Sequence, residues 1–387
     1  MVSVTTQHHI NRRNVMKRTK LTIGFMCLVV MAVIASTGMV LAQNGLTPEE
    51  ELGKKLYFDE HLSEPSGQSC ASCHLPKAGF DDPDDKLPVS EGVISGLFGG
   101  RNSPSSAYAM YSPKFDSTDL IGGQFWDGRA TGDVLDDPLA DQALGPFLNP
   151  VEMANPNKAA VVNDALASEY GDSFKLLCGT EVEAAYNCIA LSIAAFERTS
   201  LFGQFSSKYD AYLQACLAAG GDKNDCAQGV VGTVAEQVGT KIFNKKEWYG
   251  LQLFMGEINN NDGVLYIGEG AKCVACHIVE WTPDPGNVVV PAWSPVGTVP
   301  PMFTDFTYDN LGVPKSTDPL LVDNPVDLGL GARILGEDGK FKVMTLRNIA
   351  LTAPYAHNGF FKSLGDITHF HNTRDVSGAV KKGADWP

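Results

Sequence analysis

Two pentapeptides carry the most specific chemistry in the chain: Cys70-Ala71-Ser72-Cys73-His74 and Cys273-Val274-Ala275-Cys276-His277. A C-x-x-C-H run is the attachment signature of c-type haem. Two thiols bond the porphyrin, and the adjacent His ligates the iron from one face. Other chemistries use the same thiols. Two separated C-x-x-C pairs can supply the four ligands of a zinc site, and one pair can act as a redox dithiol. The His after each pair, together with the export segment described below, selects two covalently bound haems.

The second face of each iron decides between electron transfer and catalysis. Two protein ligands make a closed carrier, whereas one leaves a site for substrate. Outside the motifs and the leader, the histidines are His61, His357, His369 and His371. Leu364, Ile367, Phe370 and His371 fall on one helical face, so His371 is expected to turn inward as a haem ligand. His369 falls on another face. The competing reading of His371 is a core histidine satisfied by hydrogen bonds. His61 stands alone among polar residues and carries no such expectation.

These residues need elements to position them. The chain has 387 residues, enough for two domains. Residues 1–42 read as a signal peptide: Arg12, Arg13, Lys17, Arg18 and Lys20 precede an apolar run, and Val40-Leu41-Ala42 forms a small-residue cleavage site. The run is also long enough for an uncleaved membrane anchor, the less favoured alternative to a periplasmic protein. Removing the leader takes five of the 30 basic residues and no acidic one, leaving 25 against 45 acidic and a net charge of −20. That balance argues against nucleic acid as a partner and suits steering of a basic protein.

Thr47-Pro48-Glu49-Glu50 is a helix start with a capping box. Helical periodicity returns in 157–170, 181–199 and 205–218, and a further helix precedes the second motif at Gln252 to Met255. Regions 81–125 and 281–345 are rich in Gly and Pro and read as loop. Alternating strand patterns are almost absent. The fold class is therefore mainly α, in two haem domains with long Gly/Pro-rich loops. The first domain spans 43–220 and the second 221–387, with polar residues 220–229 at the junction. Export permits disulfides. Cys178–Cys188 and Cys216–Cys226 are the favoured pairings, since each closes a short loop; buried free thiols are the alternative. The loop at 87–105, LPVSEGVISGLFGGRNSPS, holds no His, Met, Cys or Tyr. No strand–loop–helix surrounds it, so a phosphate cradle is not expected.

From about Glu51 to Val376 the chain resembles the bacterial dihaem cytochrome c peroxidases and the related MauG-type enzymes. The resemblance rests on ordered motifs: ELGKKLYFDEHLS, SCASCH, RNSPS, FWDGRA, ALGPFLNPVEMA, IAAFERT, KCVACH, FKVMTLRNIALTAPYAHNG and HFHNTRDV. It implies two cytochrome c-like domains, with a peroxide-reacting haem on His74 and an electron-entry haem on His277. Trp126 matches the residue that relays electrons between the haems. Glu152 matches the distal acid–base carboxylate. Asn102, with the carbonyls of Thr352 and Pro354, matches a calcium site, and oxygen donors suit that hard cation. His371 matches the distal ligand of the second haem, which is Met or Tyr in relatives.

Two departures matter. The well-studied peroxidases carry a switching His in the loop after the first motif, where this chain has Ile94. Relatives usually carry a further helical segment after the position of His371, whereas this sequence stops at Pro387. The implied function is a periplasmic peroxidase that reduces hydrogen peroxide with electrons from a small cytochrome c or cupredoxin, with a homodimer admitted. The alternatives are a MauG-like oxidase of partner-protein side chains and a non-catalytic dihaem electron carrier.

Overall fold

A helix entered at Pro48 opens the described structure, and its sequence explains its placement. This computed structural model describes residues 45–259, 265–267 and 271–374; the signal peptide expected at 1–42 lies outside them. Helix α1 (Pro48–Phe58) has Glu49, Glu50 and Glu51 in its first turn and Lys55 in its last, which complements the helix dipole. It buries Leu52, Leu56 and Tyr57, worth roughly 1.5–3 kcal/mol for each aliphatic side chain so buried. Gly53 allows the closest approach: a Cβ there would lie 1.8 Å from the Ser192 carbonyl oxygen.

The short α2 (Cys70–Cys73) and then α3 (Pro138–Ala143), α4 (Lys158–Ala167) and α5 (Gly171–Cys178) lead to the long α6 (Val182–Glu197). Glu181 caps α6 by accepting from the amides of Glu183 and Ala184. These helices, with Tyr108, Tyr111, Phe202 and Phe205, form one apolar cluster, which Val299 and Met302 join from later in the chain. A second cluster gathers around α7 (Lys208–Ala218), α8 (Lys223–Gln228), α9 (Val234–Ile242) and α10 (Lys245–Met255). A third centres on Tyr355, Phe361 and Phe370, the last on α11 (Leu364–Thr373).

Among the described residues strands are few and very short. The antiparallel pairs are β1 (Glu257–Asn259) with β2 (Leu265–Ile267), β3 (Thr282–Pro283) with β4 (Thr298–Val299), and β5 (Tyr308–Asp309) with β6 (Phe341–Lys342). Two or three residues are too few to give an alternating pattern in sequence. Both favoured disulfides are present, Cys178–Cys188 and Cys216–Cys226. The second one alters the reading of 220–229. Asp222 caps α8, and Cys226 and Ala227 are buried, so this stretch is a stapled helix rather than an open polar segment.

Candidate active site

The first motif is held by a single helical turn. The amide of His74 donates to the Cys70 carbonyl at 2.9 Å. Cys70, Cys73 and His74 thereby line one cavity of about 390 Å³. His74 Nδ1 lies 3.3 Å from the Phe80 carbonyl oxygen. A carbonyl only accepts, so Nδ1 carries the proton and Nε2 keeps its lone pair for a metal. Burial pushes the imidazole pKa down, opposed by the bond to Phe80. Tyr57 donates its hydroxyl to the His74 carbonyl at 2.9 Å.

The second motif repeats the device. His277 Nδ1 lies 2.8 Å from the Phe303 carbonyl oxygen. Both acceptor residues are phenylalanines at positive φ, 63° at Phe80 and 55° at Phe303. Such backbone costs about 1–3 kcal/mol and persists only where the surroundings impose it. Arg347 helps to impose it, because Nε donates to the Pro301 carbonyl at 2.9 Å. Its guanidinium pairs with Asp210 at 3.1 Å and sits over the rings of Tyr108, Phe205 and Phe303. Cys273 is exposed, and Cys276 Sγ lies 3.3 Å from Asp309 Oδ2. Among the described residues, the four motif cysteines are free while the other four are paired. Two free thiols beside an imidazole whose outer nitrogen is open are the donor set that a c-type haem requires, and both motifs meet it.

Glu152 lines the same cavity. Asn149 Nδ2 donates to its Oε1 at 2.6 Å. Burial pushes the carboxyl above the usual carboxylate range, while the Arg129 charge and the Asn149 bond oppose that rise. The glycine-rich loop braces this residue. The amide of Val93 donates to the Glu152 carbonyl at 2.9 Å. Gln68 Nε2 donates to the Glu91 carbonyl at 3.0 Å. Ile94 is 42% exposed and absent from the cavity wall.

A model of the di-haem cytochrome c peroxidase family matches residues 47–216. The methylamine utilization protein MauG of Paracoccus denitrificans is 34% identical, over 83% of this chain and 73% of its own. The cytochrome c551 peroxidase of Nitrosomonas europaea is 30% identical, over 89% of this chain and 81% of its own. This chain belongs to the dihaem cytochrome c peroxidase and MauG family. The solved diheme peroxidase BthA of Burkholderia thailandensis is 30% identical, with a TM-score of 0.63 over 84% of this chain and 71% of that one. A MauG-like protein associated with microbial copper homeostasis is 26% identical, with a TM-score of 0.53 over 84% of this chain and 76% of that one. As a dihaem cytochrome c peroxidase family member, the protein is a mainly helical, haem-dependent oxidoreductase acting on peroxide, and its two motifs account for two haem c groups.

The structure brings several of the expected residues together. Trp126 lines the cavity, and its Nε1 donates to the Asn102 carbonyl at 2.8 Å. The Trp126 ring meets His357 edge to face, and His357 stacks on Phe341 at 3.6 Å. The Asn102 amide donates to the His357 carbonyl at 2.8 Å, so the Asn102 segment meets the segment that follows Thr352 and Pro354. His371 lies on α11 (Leu364–Thr373), the helix expected from its spacing. On α11 the buried positions are Phe370 and Thr373, and His371 is exposed. Phe370, with Ile367 packed beside it, occupies the expected apolar face, and Thr373 continues it by one turn. The end of α11 still approaches the second motif, since the Arg374 charge acts on Cys276. His61 is exposed and bonded to Asp59 at 3.0 Å.

The cavity wall also holds residues that sequence reasoning did not single out. Gln142 lines it, and so does Glu197, the last residue of α6. Glu197 is 5% exposed, and its Oε2 has no hydrogen-bond partner. Burial lifts its carboxyl pKa to about 8, with Arg198 opposing and Asp137 adding. Its only sequence signal was its position inside the IAAFERT motif.

Proposed function

We propose that this protein is a peroxidase that takes hydrogen peroxide in the cavity between His74 and Glu152. Electrons enter at the His277 site from a small cytochrome c or copper protein. One observation carries this reading: residues 92–98 are absent from the cavity wall, Glu91 Oε1 is taken by Ser95 and the Gly96 amide, and Val93 is bonded to the backbone of Glu152. An open iron face is the requirement for peroxide binding.

Haem bound at Cys70 and Cys73 supplies the iron and its change of oxidation state. The chain supplies the proton work and the positioning. Glu152 Oε1 is held by Asn149, which leaves Oε2 to accept the proton from the inner oxygen of peroxide. The same oxygen returns it to the outer oxygen, which departs as water. Trp126 stands on the electron path between the halves, its indole fixed by Asn102. Calcium held by Asn102, Thr352 and Pro354 would tie the same segments, and His371 would close the second haem. The two haem domains are 43–220 and 221–387. Export to the periplasm fits the leader, and among the described residues no helix is long and apolar enough to cross a membrane.

A second reading has its own support, because the MauG of Paracoccus denitrificans is more similar in sequence than the two peroxidases quoted from Nitrosomonas europaea and Burkholderia thailandensis. On that reading the same oxidising equivalents act on side chains of a partner protein. The test is the oxidised protein without added reductant. High-spin haem that reacts at once with peroxide, followed by turnover with donor cytochromes, is the expected result. Prompt peroxide reaction without donor turnover, but with oxidised partner protein, moves the function to the MauG reading. Only low-spin haem and no peroxide reaction, even after half-reduction, leaves an electron carrier.

A further inference from the structure

The cavity holds a second carboxyl group whose surroundings leave its charge without support. Glu197 closes α6, where the negative end of the helix dipole disfavours a carboxylate. The nearest cation in sequence, Arg198, is committed to Asp137 at 2.7 Å. Tyr57, facing from α1, donates its hydroxyl to the His74 carbonyl instead. Ile193, Phe147 and Ala143 supply apolar wall to the same cavity. Glu197 Oε2 therefore has no donor. After burial itself, Glu197 acts more strongly than any other charge on both the Cys70 thiol and the Tyr57 phenol. Its carboxyl thus belongs to the Cys70 side of the cavity. A buried carboxyl without donors is kept neutral, and a charge added nearby changes that balance.

We propose that Glu197 is a second acid of this haem site, a neutral carboxylic acid that exchanges its proton with solvent as the charge on the bound haem changes. The proposal rests on haem attachment at Cys70, Cys73 and His74. Withdrawal of one electron adds one positive charge to the site, and Glu197 then releases one proton to bulk water. Return of the electron restores the proton. Each cycle balances one electron against one proton. The groups that face Glu197 do not take this role. Asp137 is paired with Arg198, the Tyr57 hydroxyl is already engaged, and the Cys70 thiol is consumed by attachment. Glu152 is the other acid of the cavity, and the experiment separates the two.

The experiment is a mediated spectroelectrochemical titration of the N-terminal haem in the full-length holoenzyme, from about pH 6 to 9, around the raised carboxyl. The wild-type midpoint potential should fall by up to about 59 mV per tenfold drop in proton concentration. Glu197→Gln keeps the shape and removes the exchangeable proton, so its potential should stay flat, while Glu152→Gln should keep the slope. A flat wild-type potential overturns the proposal without any variant. A slope that survives in Glu197→Gln overturns it as well. Haem content per chain, measured on the same samples, stands apart: a missing N-terminal haem in wild type would refute the attachment on which the proposal rests.

Discussion

A methyl group at residue 92 would press directly on the backbone that carries Glu152. An ideal Cβ on Gly92 lies 2.3 Å from the Val151 carbonyl oxygen, 2.6 Å from its carbon and 3.1 Å from the Glu152 amide nitrogen. The obstruction is main chain on both sides, so no side-chain rotation relieves it. The φ of Gly92 lies outside the left-handed region, so Gly92→Ala acts through this contact and not through backbone preference. Restoring an ordinary carbon–oxygen separation requires a displacement of about 1 Å, and a misplacement of that size at a reacting group costs about 10²-fold in rate. That factor corresponds to about 2.7 kcal/mol in the barrier. The loop cannot simply drift outward, since Val93 is bonded to Glu152 and Glu91 to Gln68. The assay is stopped-flow reaction of the oxidised holoenzyme with peroxide, alongside haem content. Wild-type rate constants in Gly92→Ala with full haem content would refute the argument that this loop positions Glu152.

Four further outcomes are expected. The acid limb of kcat/KM for peroxide should lie above the usual carboxylate range, because burial raises Glu152 and the base must be ionised; activity is lost as pH falls through that raised pKa. Asn149→Ala removes a donor to the ionised form and should move the limb to higher pH, read from rate–pH profiles. Arg347→Met leaves Asp210 buried and uncompensated, so it should destabilise by about 3–5 kcal/mol in denaturant titrations, with Asp210→Leu in the same chain recovering part of the loss. Gly250 lies in α10 with nothing within 4 Å of an added Cβ. Gly250→Ala should raise stability by up to about 1 kcal/mol without altering the peroxide reaction.

Much of the site could be read from the chain because covalent chemistry leaves fixed spacings. The two haem motifs and both local disulfides are of this kind. Helices α1 and α6 announce themselves through caps and apolar periodicity. The helix α11 that carries His371 could be read from its apolar spacing, since Ile367 and Phe370 do pack inward, but which group His371 meets is set by the haem and not by the helix pattern. Glu197 was invisible for a different reason. A glutamate ending a helix looks solvated until the cavity beside it is known. The loop at 87–105 seemed featureless because its order comes from main-chain bonds to Glu152 and from Gln68, neither of which shows in its own composition.

Arg347 bears on how the molecule could be taken apart. Asp210 belongs to the first half of the sequence and Arg347 to the second, and their side chains are 2% and 4% exposed. Producing residues 43–220 and 221–387 as separate polypeptides would leave a buried anion in one fragment and a buried cation in the other. The cation's fragment would also carry the carbonyl that orients His277. The Cys216–Cys226 disulfide spans that cut, and α7 packs with α8 to α10 beyond it, so the two lengths are tied by a covalent bond and a shared apolar cluster as well as by this ion pair.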